Sequence, residues 1–356
     1  MTWDAAVIGL GVMGSAALYR LAKRGLHVVG LDRFHLPHDR GSSHGRTRVI
    51  RQAYYEHPDY VPLVLRAYEL WRELEADSGT RLLETTGAYM IGTEESRIVR
   101  GSLESARRHG LAHRFLSAAE LRSAVPALRP PPDQVALHER EAGVLLAEEC
   151  VQAFLDRARA LDAEIRFGVR ATIGDPSANR TIVTTGPWMP ELAPFLPLQV
   201  ERQVSFWFDR VPGVPLFLWD DGDRPFYGLP DLRGDGVKIA FHHGGESADP
   251  EGVDREVADR ERVEMEQWVA ERIPGLGRSR GSKVCLYTNT PDSHFRIGAM
   301  PGDPSVVYAS ACSGHGFKFA PVVGEILADL AIEGRTRHSL ELFAPRADGP
   351  GAPSGR

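Results

Sequence analysis

Hydrophobic positions along the first thirty residues change period twice. Residues 3–9 form a short apolar run, read as a buried strand. Residues 13–24 place Ala16, Leu18, Leu21 and Ala22 at helical spacing, and residues 27–31 return to an apolar run ending at Asp32. Strand, helix and strand in this order predict a βαβ unit and a parallel sheet. After a polar loop at 35–45, a helix is predicted over 61–76, with Leu63, Leu65, Leu70, Trp71 and Leu74 on its apolar positions. From about residue 85 the pattern becomes short runs and turns. Strands are predicted at 181–185, 204–208, 216–219, 225–227 and 237–241. A last helix over 321–332 starts at Pro321, where proline suits a first turn. With no internal repeat and no long linker, this order predicts a nucleotide-binding α/β domain interrupted by a β-rich insertion.

A length of 356 residues allows a large core. The net charge of −6 gives no general reason to expect nucleic acid or an anionic membrane as partner. Cys150, Cys285 and Cys312 are odd in number and far apart, which argues against a disulfide framework and for a reducing compartment. Asp4 interrupts the first apolar run and Arg20, Lys23 and Arg24 follow it, so neither a signal peptide nor a membrane span is predicted. The expected location is the cytoplasm. Residues 346–356, rich in Gly, Pro, Ala and Ser, are expected to form a mobile tail.

Residues 9–14 read Gly-Leu-Gly-Val-Met-Gly, a G-x-G-x-x-G that leaves a strand and enters a helix. Gly9 permits the tight turn, Gly11 lets the backbone approach a pyrophosphate and Gly14 permits close helix–strand packing, while Val12 and Met13 open the helix. The helix N-terminus offers free N–H groups to phosphates. Asp32 stands where a carboxylate accepts bonds from a ribose. The loop predicts a dinucleotide but does not separate NAD from FAD.

Four further segments join this loop. They are 41–51, which carries Gly-Ser-Ser-His-Gly and Thr-Arg-Val-Ile-Arg; 226–230 with 238–242; 285–288 (Cys-Leu-Tyr-Thr) with 291–295; and 313–319 (Ser-Gly-His-Gly-Phe-Lys-Phe). Together, across residues 1 to about 345, the chain resembles the monomeric sarcosine oxidase and N-methyltryptophan oxidase family of D-amino-acid-oxidase-like FAD amine oxidases. That resemblance implies an FAD attached covalently through Cys285, with Cys312 as the rival site and Cys150 as core. It implies cofactor contacts from Ser42, Ser43, His44, Thr47, Arg48, Gly314, Gly316, Phe317 and Lys318, besides the glycine loop and Asp32. His315 is open between a cofactor and a structural role. Arg51 and Lys318 are implied to grip a substrate carboxylate, an arrangement suited to a guanidinium fork and a point charge. Lys238 is implied to activate oxygen by stabilising the charge of superoxide, and Arg48 to be a second cation nearby. His242, four residues beyond Lys238, shares its face in a strand, whereas His243 is expected on the opposite face. Tyr227 and Tyr287 are implied to line the substrate cavity, with Leu218 and Gly314 beside them.

The resemblance implies a monomeric oxidase that converts an N-methyl amino acid, with O2 and water, to the primary amino acid, formaldehyde and hydrogen peroxide. Two departures stand out: a short stretch at 168–180, and Leu218 where sarcosine oxidases tend to place methionine. A cyclic imino acid or a bulky biosynthetic secondary-amine intermediate as substrate, an NAD-dependent dehydrogenase and a non-catalytic flavoprotein remain open alternatives. The expected organisation is a Rossmann-like FAD domain from 1–84, 142–200 and 296–345, interleaved with a β-sheet substrate domain from 85–141 and 201–295.

Overall fold

The computed structural model describes residues 2–222 and 224–344; the tail expected at 346–356 lies outside the described residues. Strand β1 (Ala5–Ile8), helix α1 (Val12–Lys23) and strand β2 (Val28–Asp32) form the predicted βαβ unit, and both strands are buried throughout. Burial on both faces is what a parallel sheet with helical cover requires. β1 pairs in parallel with β2 and with the Thr181–Val183 strand. The six-stranded sheet runs Arg296–Met300, Asp303–Ser310, Thr181–Val183, β1, β2, Glu164–Phe167, with only the first strand antiparallel. The Ala320–Glu333 helix lies across α1. A Cβ on Gly324 would meet Ala16 within 3 Å, so small residues set how closely these helices approach.

The second sheet carries most of the chemistry. Its central strand Gln199–Phe208 pairs with Ser279–Asn289 on one side and Val237–Phe241 on the other. Phe226–Leu229, Phe217–Trp219, Ala88–Gly92, Val135–Glu139 and Arg114–Ser117 continue the sheet. Residues directly opposite one another in antiparallel strands share a face, and the face alternates with period two. The register places Leu218 opposite Tyr227, Tyr227 opposite Ala240, Ala240 opposite Ser205, Lys238 opposite Trp207 and Cys285 opposite Gln203. Leu218, Tyr227, Lys238, Trp207, Gln203, Cys285 and Tyr287 therefore belong to one face. The other face buries Phe206, Phe208, Phe226, Ile239 and Phe241 in the cluster that also holds Met265 and Val269 of the Asp259–Arg272 helix. A small third sheet joins Thr47–Ile50, Gly143–Leu146 and Leu83–Thr85.

Most boundaries differ from the sequence reading by one or two residues. The helix predicted over 61–76 runs Val61–Ser78, because the first residue able to stop it in a left-handed cap is Gly79, at φ +67°. The strand predicted at 181–185 stops at Val183, ahead of the turn at Gly186, which has φ +55°.

Candidate active site

One cavity of about 510 Å³ runs from the glycine loop to the Lys238 and Cys285 face of the second sheet. Every residue expected to bind cofactor, bind substrate or take part in chemistry lines it, with the exception of Gly14. A Cβ on Gly14 would lie 1.8 Å from the Gly9 carbonyl oxygen, so Gly14 shapes the loop from behind, in the packing role its motif position predicts. Gly9 sits at φ +89° against the Thr184 carbonyl.

Helix α1 begins at Val12, and no side chain caps it by the usual contact from the N-cap residue. The Val12 amide donates to Ser43 Oγ at 3.1 Å, which ties the 41–45 loop to the helix start. Asp32 accepts from Leu10 N at 2.7 Å and from Phe34 N at 2.8 Å, so its carboxylate braces the loop as well as facing the cavity. These residues fit a dinucleotide. The helix start is open, and both ring nitrogens of buried His44 lack a protein partner. Burial, reinforced by Arg48, lowers the His44 pKa to about 2, so the ring is neutral. Arg48 spends its guanidinium on the carbonyls of Thr47 (2.8 Å), Ser42 (2.7 Å) and His44 (2.5 Å), and lies over the Phe317 ring. It therefore fixes the loop that it belongs to.

Cys285 is half-buried, with Sγ 3.9 Å from the Ser42 carbonyl, and Ser42 Oγ donates to the Leu286 carbonyl at 2.6 Å. Cys312 accepts the Thr288 amide at 3.3 Å, and burial pushes its thiol pKa up. Cys150 is core. Lys238 is buried over the Trp207 ring and makes no hydrogen bond among the described residues; burial first, then Arg48, lowers its pKa to about 7. Tyr287 contacts His242, whose Nδ1 lies 3.4 Å from its hydroxyl. Gly314, at φ +75°, leaves no room for a side chain: a Cβ would sit 2.5 Å from the Tyr287 ring and 2.9 Å from His242. Gly316 is equally tight, its Cβ position 1.7 Å from the Ala311 carbonyl oxygen.

Arg51 is fully buried between the Tyr54 and Tyr55 rings. Its Nη1 donates to the Ala53 carbonyl at 2.9 Å and its Nη2 pairs with Glu56 Oε2 at 2.5 Å. Burial opposes the charge on Glu56, but Arg51, His315 and Lys318 outweigh it and hold its pKa down to about 2. Lys318 Nζ donates to the His315 carbonyl at 2.6 Å, and burial together with Arg51 brings its pKa to about 7. His315 bonds Tyr54 Oη at 2.6 Å and the Ser293 carbonyl at 2.9 Å, which gives it a structural setting.

One expectation changes. His243 does not point away from His242: the strand ends at Phe241, His243 adopts φ +70°, and the two rings lie 4.2 Å apart. Strand alternation does not extend past the strand. Sequence reasoning also missed Glu56, which lines the cavity with its Oε1 buried and unpartnered; the available signal was an acid five residues after Arg51. Glu148, also lining, was missed as well. Among the described residues no group of three or more His, Cys, Asp and Glu could hold a metal, and no helix is long and apolar enough to cross a membrane.

Comparison with known proteins shows the family. The family model for FAD dependent oxidoreductases matches residues 4–330. Monomeric sarcosine oxidase of Streptomyces avermitilis is 42% identical, over 97% of each chain. The human peroxisomal sarcosine oxidase is 35% identical over 96% of this chain and 95% of its own. N-methyl-L-tryptophan oxidase of Yersinia pestis is 33% identical over 92% and 94%. Among solved structures, the open form of NikD, an unusual amino acid oxidase, superposes with a TM-score of 0.84 at 23% identity, covering 97% of this chain and 98% of that one.

Proposed function

This chain belongs to the FAD dependent oxidoreductases, in the monomeric sarcosine oxidase and N-methyltryptophan oxidase family, and from that premise we propose that it oxidises small secondary amino acids. Sarcosine or another N-methyl amino acid is the proposed substrate, O2 the acceptor, and the primary amino acid, formaldehyde and hydrogen peroxide the products. The observation that carries this reading is the single cavity, which joins a dinucleotide loop to two buried cations, Arg51 and Lys318. When bound, FAD supplies the two-electron oxidation of the C–N unit and the transfer of those electrons to oxygen.

The protein's own residues do the rest. Arg51 and Lys318 hold the carboxylate, the first with a fork and the second with a point charge. Tyr227, Tyr287, His242 and Leu218 bound the space around the amine. His242 is kept neutral because burial lowers its pKa well below its usual value, so it does not repel a substrate ammonium. The amine must be unprotonated to give up electrons, so oxidation rises with pH through the bound ammonium's pKa. Lys238, with no hydrogen bond to break among the described residues, stabilises the negative charge that oxygen acquires on one-electron reduction.

Cys285 is the proposed covalent anchor. Both Cys285 and Cys312 are half-buried and line the cavity; Cys285 lies beside the 41–45 loop, whereas the Cys312 thiol has a raised pKa, which opposes the thiolate that attachment needs. The protein is proposed to act as a monomer in the cytoplasm, with the interleaved FAD and substrate domains described above. In air, a panel of N-methyl and cyclic amino acids is expected to give peroxide and, from N-methyl members, formaldehyde. Carboxyl esters of the same amines are expected to react far more weakly; equal turnover of acid and ester removes Arg51 and Lys318 from the site. Acid-precipitated protein should keep its yellow colour and Cys285→Ser should lose it, while free flavin from the unaltered protein overturns the anchor.

A further inference from the structure

The Thr47–Ile50 strand ends just before Arg51, and residues 52–56 belong to no helix or strand. The amides of this turn are buried and need acceptors. Two consecutive ones find the same side chain: Gln52 N donates to Glu139 Oε1 at 2.7 Å and Ala53 N to Glu139 Oε2 at 2.8 Å. Glu139 ends the Val135–Glu139 strand of the second sheet, is 1% exposed and lies outside the cavity lining. Ala53 completes the link, because its carbonyl accepts from Arg51 Nη1. A continuous set of hydrogen bonds thus runs from the second sheet, through both polar groups of Ala53, to the guanidinium in the cavity.

We propose that Glu139 is a positioning residue for the substrate carboxylate: its two oxygens fix the turn at 51–53 and so aim Arg51 into the cavity. The proposal rests on the reading of Arg51 as a carboxylate ligand. It also gives a buried carboxylate a purpose, since burying one is costly unless its oxygens are paired, and here both are. Both oxygens matter. Glutamine keeps one acceptor but turns an NH2 group toward the other amide, and aspartate is one methylene too short to reach both.

The test uses the flavin-loaded enzyme and acetate as a non-oxidisable carboxylate probe, followed by perturbation of flavin absorbance. For Glu139→Gln the acetate Kd is expected to rise about tenfold, equivalent to about 1.4 kcal/mol, because a misaimed Arg51 must be reordered on binding. KM for an N-methyl amino acid should rise in parallel, while the flavin reduction rate at saturating substrate stays within about twofold on the differential-binding argument. An unchanged acetate Kd, even with a lowered melting temperature, overturns the proposal and leaves Glu139 a purely structural residue. Should the glutamine variant fail to accumulate, Glu139→Asp is read by the same criteria. Arg51→Met serves as the reference. If it leaves acetate binding unchanged, the reading of Arg51 fails; if it weakens acetate and the Glu139 variants do not, only the positioning role fails.

Discussion

Arg51→Met removes the partner of a buried carboxylate, and its cost follows from the structure. The Arg51 and Glu56 side chains are 2% and 4% exposed, and Arg51 supplies the largest of the effects that lower the Glu56 pKa to about 2. Without it, burial dominates and Glu56 must take up a proton to stay inside. Protonating a group of ordinary pKa 4.5 at pH 7 costs 1.36 kcal/mol per pH unit, hence up to about 3.4 kcal/mol, but only about 0.7 kcal/mol at pH 5. The sign follows from linkage. In the parent protein the depressed Glu56 value contributes stability that is complete above 4.5 and lost as pH falls toward 2. In the variant the value is raised, so stability falls as pH rises above 4.5, and the gap between the two proteins widens toward neutrality. Urea unfolding of both proteins at pH 5 and pH 7 measures this gap, and a second change, Glu56→Gln, should recover most of the loss at pH 7. A gap that is equal at both pH values, or no recovery in the double variant, refutes the reasoning.

Three other outcomes are expected. Gly14→Ala puts a Cβ at 1.8 Å from the Gly9 carbonyl, so the purified variant should carry little or no flavin by absorbance. Lys318, with a pKa near 7, should lose its charge as pH rises, so KM for carboxylate substrates should climb above about pH 7; Lys318→Met should show a higher KM that is flat across that window. Lys238→Met should slow reoxidation of the reduced enzyme by oxygen about 100-fold while leaving its reduction by substrate little changed, as stopped-flow absorbance reports. Equal losses in both half-reactions would remove Lys238 from the oxygen step.

Much of the site was legible because its residues sit where local rules apply. The glycine loop lies between a strand and a helix whose periods are unmistakable. Lys238 and Cys285 stand out through the family resemblance, and it is the register of their two strands against the shared central strand that puts them on one face. The misses fall where local rules stop. His243 follows the last strand residue, where a left-handed backbone breaks alternation. Glu56 lies in an irregular turn, and its pairing with Arg51 depends on how that turn folds back on itself. Glu139 meets the turn from a strand 86 residues away in sequence, and no short-range pattern marks such a contact.

The central claim is that this cavity oxidises a carboxylate-bearing secondary amine with a bound flavin. Anaerobic mixing of the purified yellow protein with sarcosine and a panel of N-methyl and cyclic amino acids tests it most directly. The account predicts that the flavin bleaches with at least one N-methyl amino acid and that its colour returns on admitting air, with one hydrogen peroxide released per flavin. A flavin that stays yellow with every amine in the panel would contradict it.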